Sequence, residues 1–156
     1  DLLCLFFETE IQSKIAGVFP FRSFKTKNMS TSLQISPETM ESTVKQYFAA
    51  SRNSDNKVES MVSCFAEDGV SHDPAEGSAR QGHAELRQFF QGIARLFQTV
   101  ELQEEFISIT GNEAAVKWKG QGISQNGTIV TFEGIDLFQF NAAGKIQSMR
   151  AYWNPA

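Results

Sequence analysis

The chain has 156 residues, a length typical of one domain, and its hydrophobic content of 41% is enough to form a core. Charged residues make up 21% of the chain, which argues against intrinsic disorder. The formal net charge of −4 and the pI of about 5.2 argue against nucleic acid or an anionic membrane as the main partner. No apolar run approaches the roughly 20 residues that span a bilayer. Two cysteines, Cys4 and Cys64, make no disulfide framework, so we expect a cytoplasmic protein in which Cys64 is a small buried side chain.

Residues 1–34 differ in composition from the rest of the chain. Between Ile11 and Ser36 there is no acidic residue, although four basic residues occur there. A poorly ordered extension, an acid-poor targeting segment, and a stretch preceding a true start at Met29 are three interpretations of this pattern. We therefore expect the folded domain to span residues 35–156.

Three amphipathic helices are predicted first along the chain. Ser36-Pro37-Glu38 is a helix start, with a capping serine, a proline in the first turn and an acid after it. The first helix carries Met40, Val44, Tyr47 and Phe48 on one face. A second helix is predicted from Val58 to Phe65, ended by "AEDG", and a third from Leu86 to Phe97.

Beyond the third helix the apolar period changes from the helical value to two. The strands predicted from this alternation are Phe106–Thr110, Ala114–Gly122, Thr128–Phe140 and Lys145–Trp153. Asn126-Gly127 is a strong hairpin signal between two of them. Helices followed by antiparallel strands predict an α+β fold, a curved sheet wrapped around three N-terminal helices.

Several common catalytic motifs are missing from the sequence. There is no GxSxG elbow and no P-loop, and Gly120-Gln121-Gly122 lacks the third glycine of a dinucleotide-binding loop. His72 and His83 have no metal-ligand spacing around them, so no metal site is predicted. We expect a structural role for His83, in the first turn of the third helix, and an exposed position for His72.

Asp136 is the first candidate site residue, in the predicted strand "GIDLFQF". Alternation places it on the same face as Phe132, Phe138 and Phe140, where an ionised carboxylate would cost several kcal/mol or more. Arg150 on the next strand is expected to face the other side. Asp136 is therefore either a neutral acid able to donate a hydrogen bond or a structural aspartate bonded to a buried backbone group.

Tyr47 and Asp73 are the other two candidates. Tyr47 lies on the apolar face of the first helix, where its hydroxyl either serves a site or bonds a core carbonyl. Pro74 restricts Asp73 to an extended conformation, so its carboxylate is either a rigidly presented proton-transfer base or an ordinary turn residue.

Three segments that contain these candidates resemble the delta-5-3-ketosteroid isomerase family, within the nuclear transport factor 2-like (SnoaL-like) superfamily. They are "VKQYFAA", "CFAEDGVSHDP" and "GIDLFQFNAAGKIQSMRAYW", and the similarity spans about Glu38 to Pro155. The resemblance implies a cone-shaped α+β barrel and a homodimer. It implies no cofactor, and a small apolar ketone or steroid-like ligand as the partner.

The same resemblance implies roles for the three candidates. Asp136, as a neutral acid, and Tyr47 would donate hydrogen bonds to a substrate carbonyl oxygen. Asp73 would move a proton from the carbon beside that carbonyl to a position further along the conjugated system. The residues implied to line the substrate cavity are Phe65, Phe90, Trp118, Phe132, Met149 and Trp153.

The sequence also departs from that family. Phe65 and Phe90 stand where some members carry tyrosines that support the catalytic tyrosine, and the chain has no tyrosine besides Tyr47 and Tyr152. The implied function is a steroid delta-isomerase-like activity with an open choice of substrate. The alternatives are a non-catalytic binding module for a hydrophobic ligand and a SnoaL-like cyclase or hydrolase.

Overall fold

The computed structural model describes residues 35–53 and 55–153, so the interpretations of residues 1–34 and the position of Cys4 lie outside the described residues. These two ranges contain three helices: α1 (Pro37–Arg52), α2 (Lys57–Val62) and α3 (Gly82–Leu96). The six strands are β1 (Phe65–His72), β2 (Arg80–Gln81), β3 (Phe97–Thr110), β4 (Glu113–Ser124), β5 (Ile129–Phe140) and β6 (Ile146–Trp153).

Helix α1 begins where the sequence predicts. The Ser36 hydroxyl oxygen accepts a hydrogen bond from the Thr39 backbone N–H at 3.2 Å, and Pro37 occupies the first turn. The predicted apolar face of α1 is buried, including Val44 and Tyr47. This face packs toward the sheet and places Tyr47 in the interior.

All six strands form one curved sheet in the order β2-β1-β6-β5-β4-β3. Strands β3 to β6 are antiparallel neighbours in chain order, which is the predicted meander. Strand β1 adds a parallel pairing to β6, and the short β2 extends the edge beyond β1. The α+β class and the curved sheet with helices on its N-terminal side are as predicted, but the sheet has more strands and one parallel pair.

Two predicted element boundaries are wrong. Phe65 is not the last apolar residue of a helix, because α2 ends at Val62 and Phe65 pairs with Ile146 of β6. The stretch "AEDG" belongs to β1 rather than to a helix end; it is the irregular part of that strand, between Phe65 and Val70, which both pair with β6. Strand β3 begins at Phe97, well before the predicted Phe106. The sequence did not indicate this first part of the strand, because the apolar alternation is weak among its many polar residues.

The core lies between the helices and the inner face of the sheet. Strand β5 contributes Phe138 and Phe140, β6 contributes Met149, and Cys64 is buried as expected. Asp136 lies among these apolar side chains with 3% of its surface exposed. No helix in the described part of the chain is long and apolar enough to cross a membrane.

Candidate active site

Asp136 is on the inner face of β5, as the alternation in the sequence predicts. It pairs with Val116 of β4 and Ala151 of β6, and its side chain is buried. Burial raises the pKa of Asp136 to about 8, and the negative charge of Asp73 acts in the same direction, whereas a hydrogen bond from Trp118 opposes both. At neutral pH the carboxyl therefore holds its proton and can donate a hydrogen bond.

The hydrogen bond to Asp136 comes from a tryptophan on the neighbouring strand. Trp118 Nε1 donates to Asp136 Oδ1 at 2.8 Å. In the β4–β5 register Trp118 lies opposite Gly134, so the indole reaches diagonally along β5 to the carboxyl. A Cβ atom at Gly134 would lie 2.7 Å from Trp118 Cζ2, too close for both to remain in place. Gly134, two residues before Asp136, thus makes room for the Trp118 indole.

The raised pKa of Asp136 predicts a pH-dependent stability. The unfolded chain loses this proton near pH 4, whereas the folded chain keeps it until about pH 8. Between these values the folded state binds more protons, so the free energy of unfolding falls as pH rises, by roughly 1 kcal/mol per pH unit. Above pH 8 this contribution is constant. Urea denaturation at pH 5, 6, 7 and 8 measures it as the difference between the natural chain and Asp136→Asn, which has no such ionisation. A difference that does not change with pH would show that Asp136 is already ionised in the folded protein.

Tyr47 points from α1 into a ring of aromatic side chains. Its ring centroid lies 5.4 to 6.3 Å from those of Phe48, Phe65, Phe90 and Phe138. Within residues 35–53 and 55–153 its hydroxyl has no hydrogen-bond partner, so it is not the core tyrosine bonded to a carbonyl. Burial raises the pKa of Tyr47 well above 10, and the charges of nearby Asp136 and Asp73 act in the same direction. The phenol is therefore a free neutral donor.

Asp73 follows β1, in a loop held by several contacts. Trp153 Nε1 donates to Asp73 Oδ1 at 2.6 Å, and Arg80 donates to the backbone carbonyl of Asp73 at 3.0 Å. The Ala75 N–H donates to the Ala151 carbonyl at 2.7 Å, which fixes the loop against β6. Burial raises the pKa of the Asp73 carboxyl, while the Trp153 hydrogen bond and the Arg80 charge lower it. The half-buried carboxyl is held in place rather than carried by a loose turn.

The structure brings the three candidate residues within electrostatic range of one another. The charge of Asp73 raises the pKa of both Asp136 and Tyr47, and the charge of Asp136 raises that of Tyr47. Two neutral donors and one carboxylate thus converge from α1, β5 and the loop after β1. Such a set can remove a proton from a ligand and stabilise the negative charge that forms on a nearby oxygen.

A cleft of about 1010 Å³ lies next to this group of residues: its wall includes Pro74, beside Asp73, and Ala151, which pairs with Asp136, whereas Tyr47, Asp73 and Asp136 themselves are not on the wall. Phe132 and Trp153, two of the six residues expected to line a substrate cavity, lie on its wall. The Phe132 ring contacts Trp118 and Trp153, with centroids 6.4 Å apart in both cases. It therefore packs against both tryptophans that hold the acids.

The other four expected lining residues lie behind that wall. Phe65 and Phe90 pack against Tyr47, and Trp118 and Met149 are also buried. Their contact with a substrate stays a prediction.

The histidines and Arg150 lie around the site rather than in it. His72 is half-buried, with Nδ1 at 3.3 Å from the Gly77 carbonyl oxygen, so the expectation of an exposed side chain is wrong. The loop after β1 folds back over it. His83 Nε2 lies 3.1 Å from the Phe65 carbonyl oxygen, a structural contact as predicted.

Arg150 is exposed and donates to the Ala75 carbonyl oxygen, so it does not pair with Asp136. In the described part of the chain, no three His, Cys, Asp or Glu side chains are grouped as a metal site requires.

Sequence reasoning missed that the tryptophans bind the acids. Trp118 and Trp153 were expected as apolar lining, but each donates its indole N–H to one aspartate. A usable signal was present, since the chain has two tryptophans and both lie on strands beside Asp136. Arg80, which fixes the Asp73 loop and lies 3.9 Å above the Phe89 ring, was also missed, because nothing in its local sequence indicates either contact.

Comparison with known families agrees with this architecture. The sequence profile of the SnoaL-like domain matches residues 44–149, which includes Tyr47, Asp73 and Asp136. The chain belongs to the SnoaL-like domain family. This confirms the superfamily expected from the sequence, whereas membership of the ketosteroid isomerase family stays a prediction.

Solved structures with the same fold include proteins that act on or bind small organic molecules. One is SalBIII, described as an epoxide hydrolase/cyclase-like enzyme in pyran ring formation in the polyether salinomycin. It is 26% identical in sequence, with a TM-score of 0.67, and the match covers 75% of this SnoaL-like chain and 92% of the SalBIII chain. RV0760c from Mycobacterium tuberculosis, in complex with estradiol-17beta-hemisuccinate, is 21% identical with a TM-score of 0.65, over 74% and 94%. TerC, co-crystallized with polyporic acid, is 17% identical with a TM-score of 0.64, over 74% and 92%.

Proposed function

We propose that this SnoaL-like protein is a cofactor-independent isomerase that moves a carbon–carbon double bond into conjugation with a ketone on an apolar, steroid-like substrate. The observation that carries the proposal is the convergence of a carboxylate with two neutral donors, one of them a carboxyl with a pKa of about 8. The cleft next to them carries the Phe132 and Trp153 rings on its wall together with charged side chains such as Glu101 and Lys119, and the two rings suit the flat apolar part of a ligand.

In the proposed reaction Asp73 is the base. It takes a proton from the carbon beside the carbonyl, and the electron pair of that C–H bond moves through the carbonyl to its oxygen, forming a dienolate. Tyr47 and protonated Asp136 donate hydrogen bonds to this oxygen, where negative charge develops. Asp73 then returns the proton to the far carbon of the conjugated system. Atoms and charge balance, because the substrate is rearranged and the enzyme ends as it began.

The differing environments of the two aspartates support this division of roles. Asp136 is almost fully buried, so it retains its proton at neutral pH. Burial raises the pKa of half-buried Asp73 as well, but the Trp153 hydrogen bond and the Arg80 charge oppose that rise and favour the ionised form. The more exposed of the two acids is therefore the one suited to accept a proton.

The test is turnover of a 3-oxo-Δ5-steroid, followed by the ultraviolet absorbance of the conjugated enone. The same samples are titrated with the 3-oxo-Δ4 product while tryptophan fluorescence is recorded, since both tryptophans lie at the site. Turnover by the natural chain that is lost in Asp73→Asn would support the isomerase. Saturable binding without turnover would instead support a hydrophobic-ligand binder, and neither response would exclude this substrate class.

A second candidate is a SnoaL-like cyclase or hydrolase that opens an epoxide. The similarity to SalBIII, at 26% identity, favours it. The same residues could serve, because a neutral carboxyl can protonate an epoxide oxygen while a carboxylate activates the attacking hydroxyl or water. Incubation with an apolar epoxy alcohol and analysis of the products by mass spectrometry distinguishes the two. A cyclic ether or a diol, with no isomerisation of the steroid enone, would favour this candidate.

We also propose that the protein is a homodimer formed through the outer face of the sheet. Phe106, Ile135 and Tyr152 are exposed there in one row across β3 to β6, and Leu137 is exposed in the adjacent row. Lys117 in the first row forms ion pairs with neighbouring glutamates, so the face carries no large excess of one charge. A second copy can cover this face without strong repulsion, and because Lys117, Ile135 and Tyr152 also line the cleft beside the site, that copy would form part of the wall of the cleft.

Light scattering of the full chain tests the dimer, and we expect twice the mass of one chain. Leu137→Glu should shift the mass toward that of a monomer, because it introduces an unpaired charge into an apolar interface. Gln46→Glu, on the exposed side of α1, is the matched control and should leave the mass unchanged. A monomeric natural chain at the highest concentration measured would contradict the proposal.

A further inference from the structure

Trp118 makes a contact that an apolar lining residue would not require. Its indole N–H is the donor to Asp136 Oδ1, in a buried pair with no other side-chain hydrogen bond to that carboxyl among the described residues. An indole N–H can donate and cannot accept. The indole therefore only donates to Asp136, and its N–H occupies a lone pair of Oδ1.

The position of the indole is set from several sides. Gly134 leaves the space beneath it, since an added Cβ would approach Cζ2 to 2.7 Å. The Phe132 ring packs against it in a T-shaped arrangement, at an angle of 72° between the rings. Gly120, in turn, leaves the space that Phe132 fills, because a Cβ there would lie 2.5 Å from the ring. Two glycines and one phenylalanine thus hold a single donor against one carboxyl oxygen.

We propose that Trp118 is the positioning residue of the acid: its N–H occupies Oδ1, so the proton of Asp136 is carried by Oδ2 and offered to the ligand oxygen. Without that hydrogen bond the buried carboxyl could rotate and place its proton on either oxygen. With it, the acid presents one donor in one direction. This inference rests on the proposed function only for the identity of the ligand oxygen, whereas the pairing itself can be measured in the free protein.

The groups that face Asp136 determine what its titration reports. Tyr47 approaches from α1 and Asp73 from the loop after β1, and both act electrostatically within the site. The directly paired neighbours on β4 and β6, Val116 and Ala151, are uncharged. Burial raises the pKa of all three groups, that of Asp136 to about 8 and that of Tyr47 well above 10, whereas at Asp73 the Trp153 hydrogen bond and the Arg80 charge oppose the rise.

The two indole N–H groups provide a direct test, because the chain has two tryptophans and each donates to a different acid. In a nitrogen–proton correlation spectrum of the full chain, the two indole signals are assigned by Trp118→Phe and Trp153→Phe. We expect the Trp118 signal to move downfield with a midpoint near pH 8, when Asp136 becomes a charged acceptor. The Trp153 signal should move separately, with the ionisation of Asp73, to which that indole donates.

Two variants complete the test. In Asp136→Asn the movement of the Trp118 signal near pH 8 should disappear while that of Trp153 remains. In Trp118→Phe the carbon-13 signal of the Asp136 carboxyl should titrate about one pH unit higher, since a neutral hydrogen bond that favours the ionised form is lost. If turnover is found, the alkaline limb of the kcat profile should move in the same direction.

Other results would overturn the inference. A Trp118 signal that does not respond to Asp136, or an Asp136 midpoint unchanged in Trp118→Phe, would show that the indole only fills space. These readouts come from the free protein, so absence of isomerase activity would leave them intact. Failure of the proposed function and failure of this inference are thereby distinguished.

Discussion

Replacing Asp73 with asparagine should abolish most of the isomerase activity, lowering kcat about 10²–10⁴-fold. The amide cannot accept the proton that leaves the substrate carbon, and within residues 35–53 and 55–153 the other carboxyl of the site is the protonated Asp136. Because the lost interaction belongs to the chemical step, the Michaelis constant should change little. Steady-state kinetics of the natural chain and Asp73→Asn with the steroid enone measure both constants.

The fold should survive this change. The carbonyl oxygen of the asparagine side chain can still accept the hydrogen bond from Trp153, and Arg80 bonds the backbone of residue 73 rather than its side chain. Asp68→Asn is the matched control, an exposed carboxylate on β1 whose partner is Gln147. We expect that variant to keep full activity. Equal kcat values for Asp73→Asn and Asp68→Asn would remove Asp73 from the mechanism.

The two aspartates show how one side-chain type serves two chemical roles. Each accepts one hydrogen bond from a tryptophan indole, so the identity of the donor does not separate them. What differs is burial, together with the Arg80 charge that acts on Asp73 and not on Asp136. The difference between the two carboxyls therefore follows from position in the fold, at the centre of the sheet for Asp136 and at its margin for Asp73.

The inward orientation of Asp136 could be predicted from the sequence, because it depends on the alternation of side chains along one strand. Side chains alternate along a strand, so a carboxyl two residues from Phe138 had to share its face, and the structure buries both. Helix α1 was equally predictable, because its cap and its apolar face lie within one stretch of chain. In both cases the deciding interactions are close in sequence.

The features that sequence reasoning missed depend on contacts between distant residues. The hydrogen bond from Trp153 to Asp73 joins residues 80 positions apart, and that from Trp118 to Asp136 requires knowledge of the β4–β5 register. Phe65 fitted a helical period as well as a strand, and its pairing with Ile146 decided the outcome. Local pattern could not supply any of these, because the partner strand, not the residue's neighbours, determines them.

Replacing Asp136 with leucine should lower kcat about 10²–10³-fold, the usual cost of removing one donor to a developing oxyanion. Leucine is close in size and suits the apolar face, but it offers the substrate oxygen no hydrogen bond. It also leaves the Trp118 N–H without its acceptor, which costs about 1–3 kcal/mol of stability near pH 4, where Asp136 is protonated in both the folded and the unfolded chain. At higher pH the variant escapes the loss of stability that the raised pKa of Asp136 causes, so the cost should shrink and then reverse. Steady-state kinetics and urea denaturation of the same preparation measure both effects.

Asp136→Asn separates donation from charge and completes this prediction. The amide keeps an oxygen for Trp118 and an N–H₂ for the ligand oxygen, so its activity should lie between that of Asp136→Leu and that of the natural chain. A carboxyl that must be protonated to function loses its activity above about pH 8, whereas an amide does not titrate. The kcat profile of Asp136→Asn should therefore lack the alkaline limb that Asp136 causes. A natural chain whose activity rises through pH 8 would mean that Asp136 acts as a base, and the roles of the two aspartates would then be exchanged.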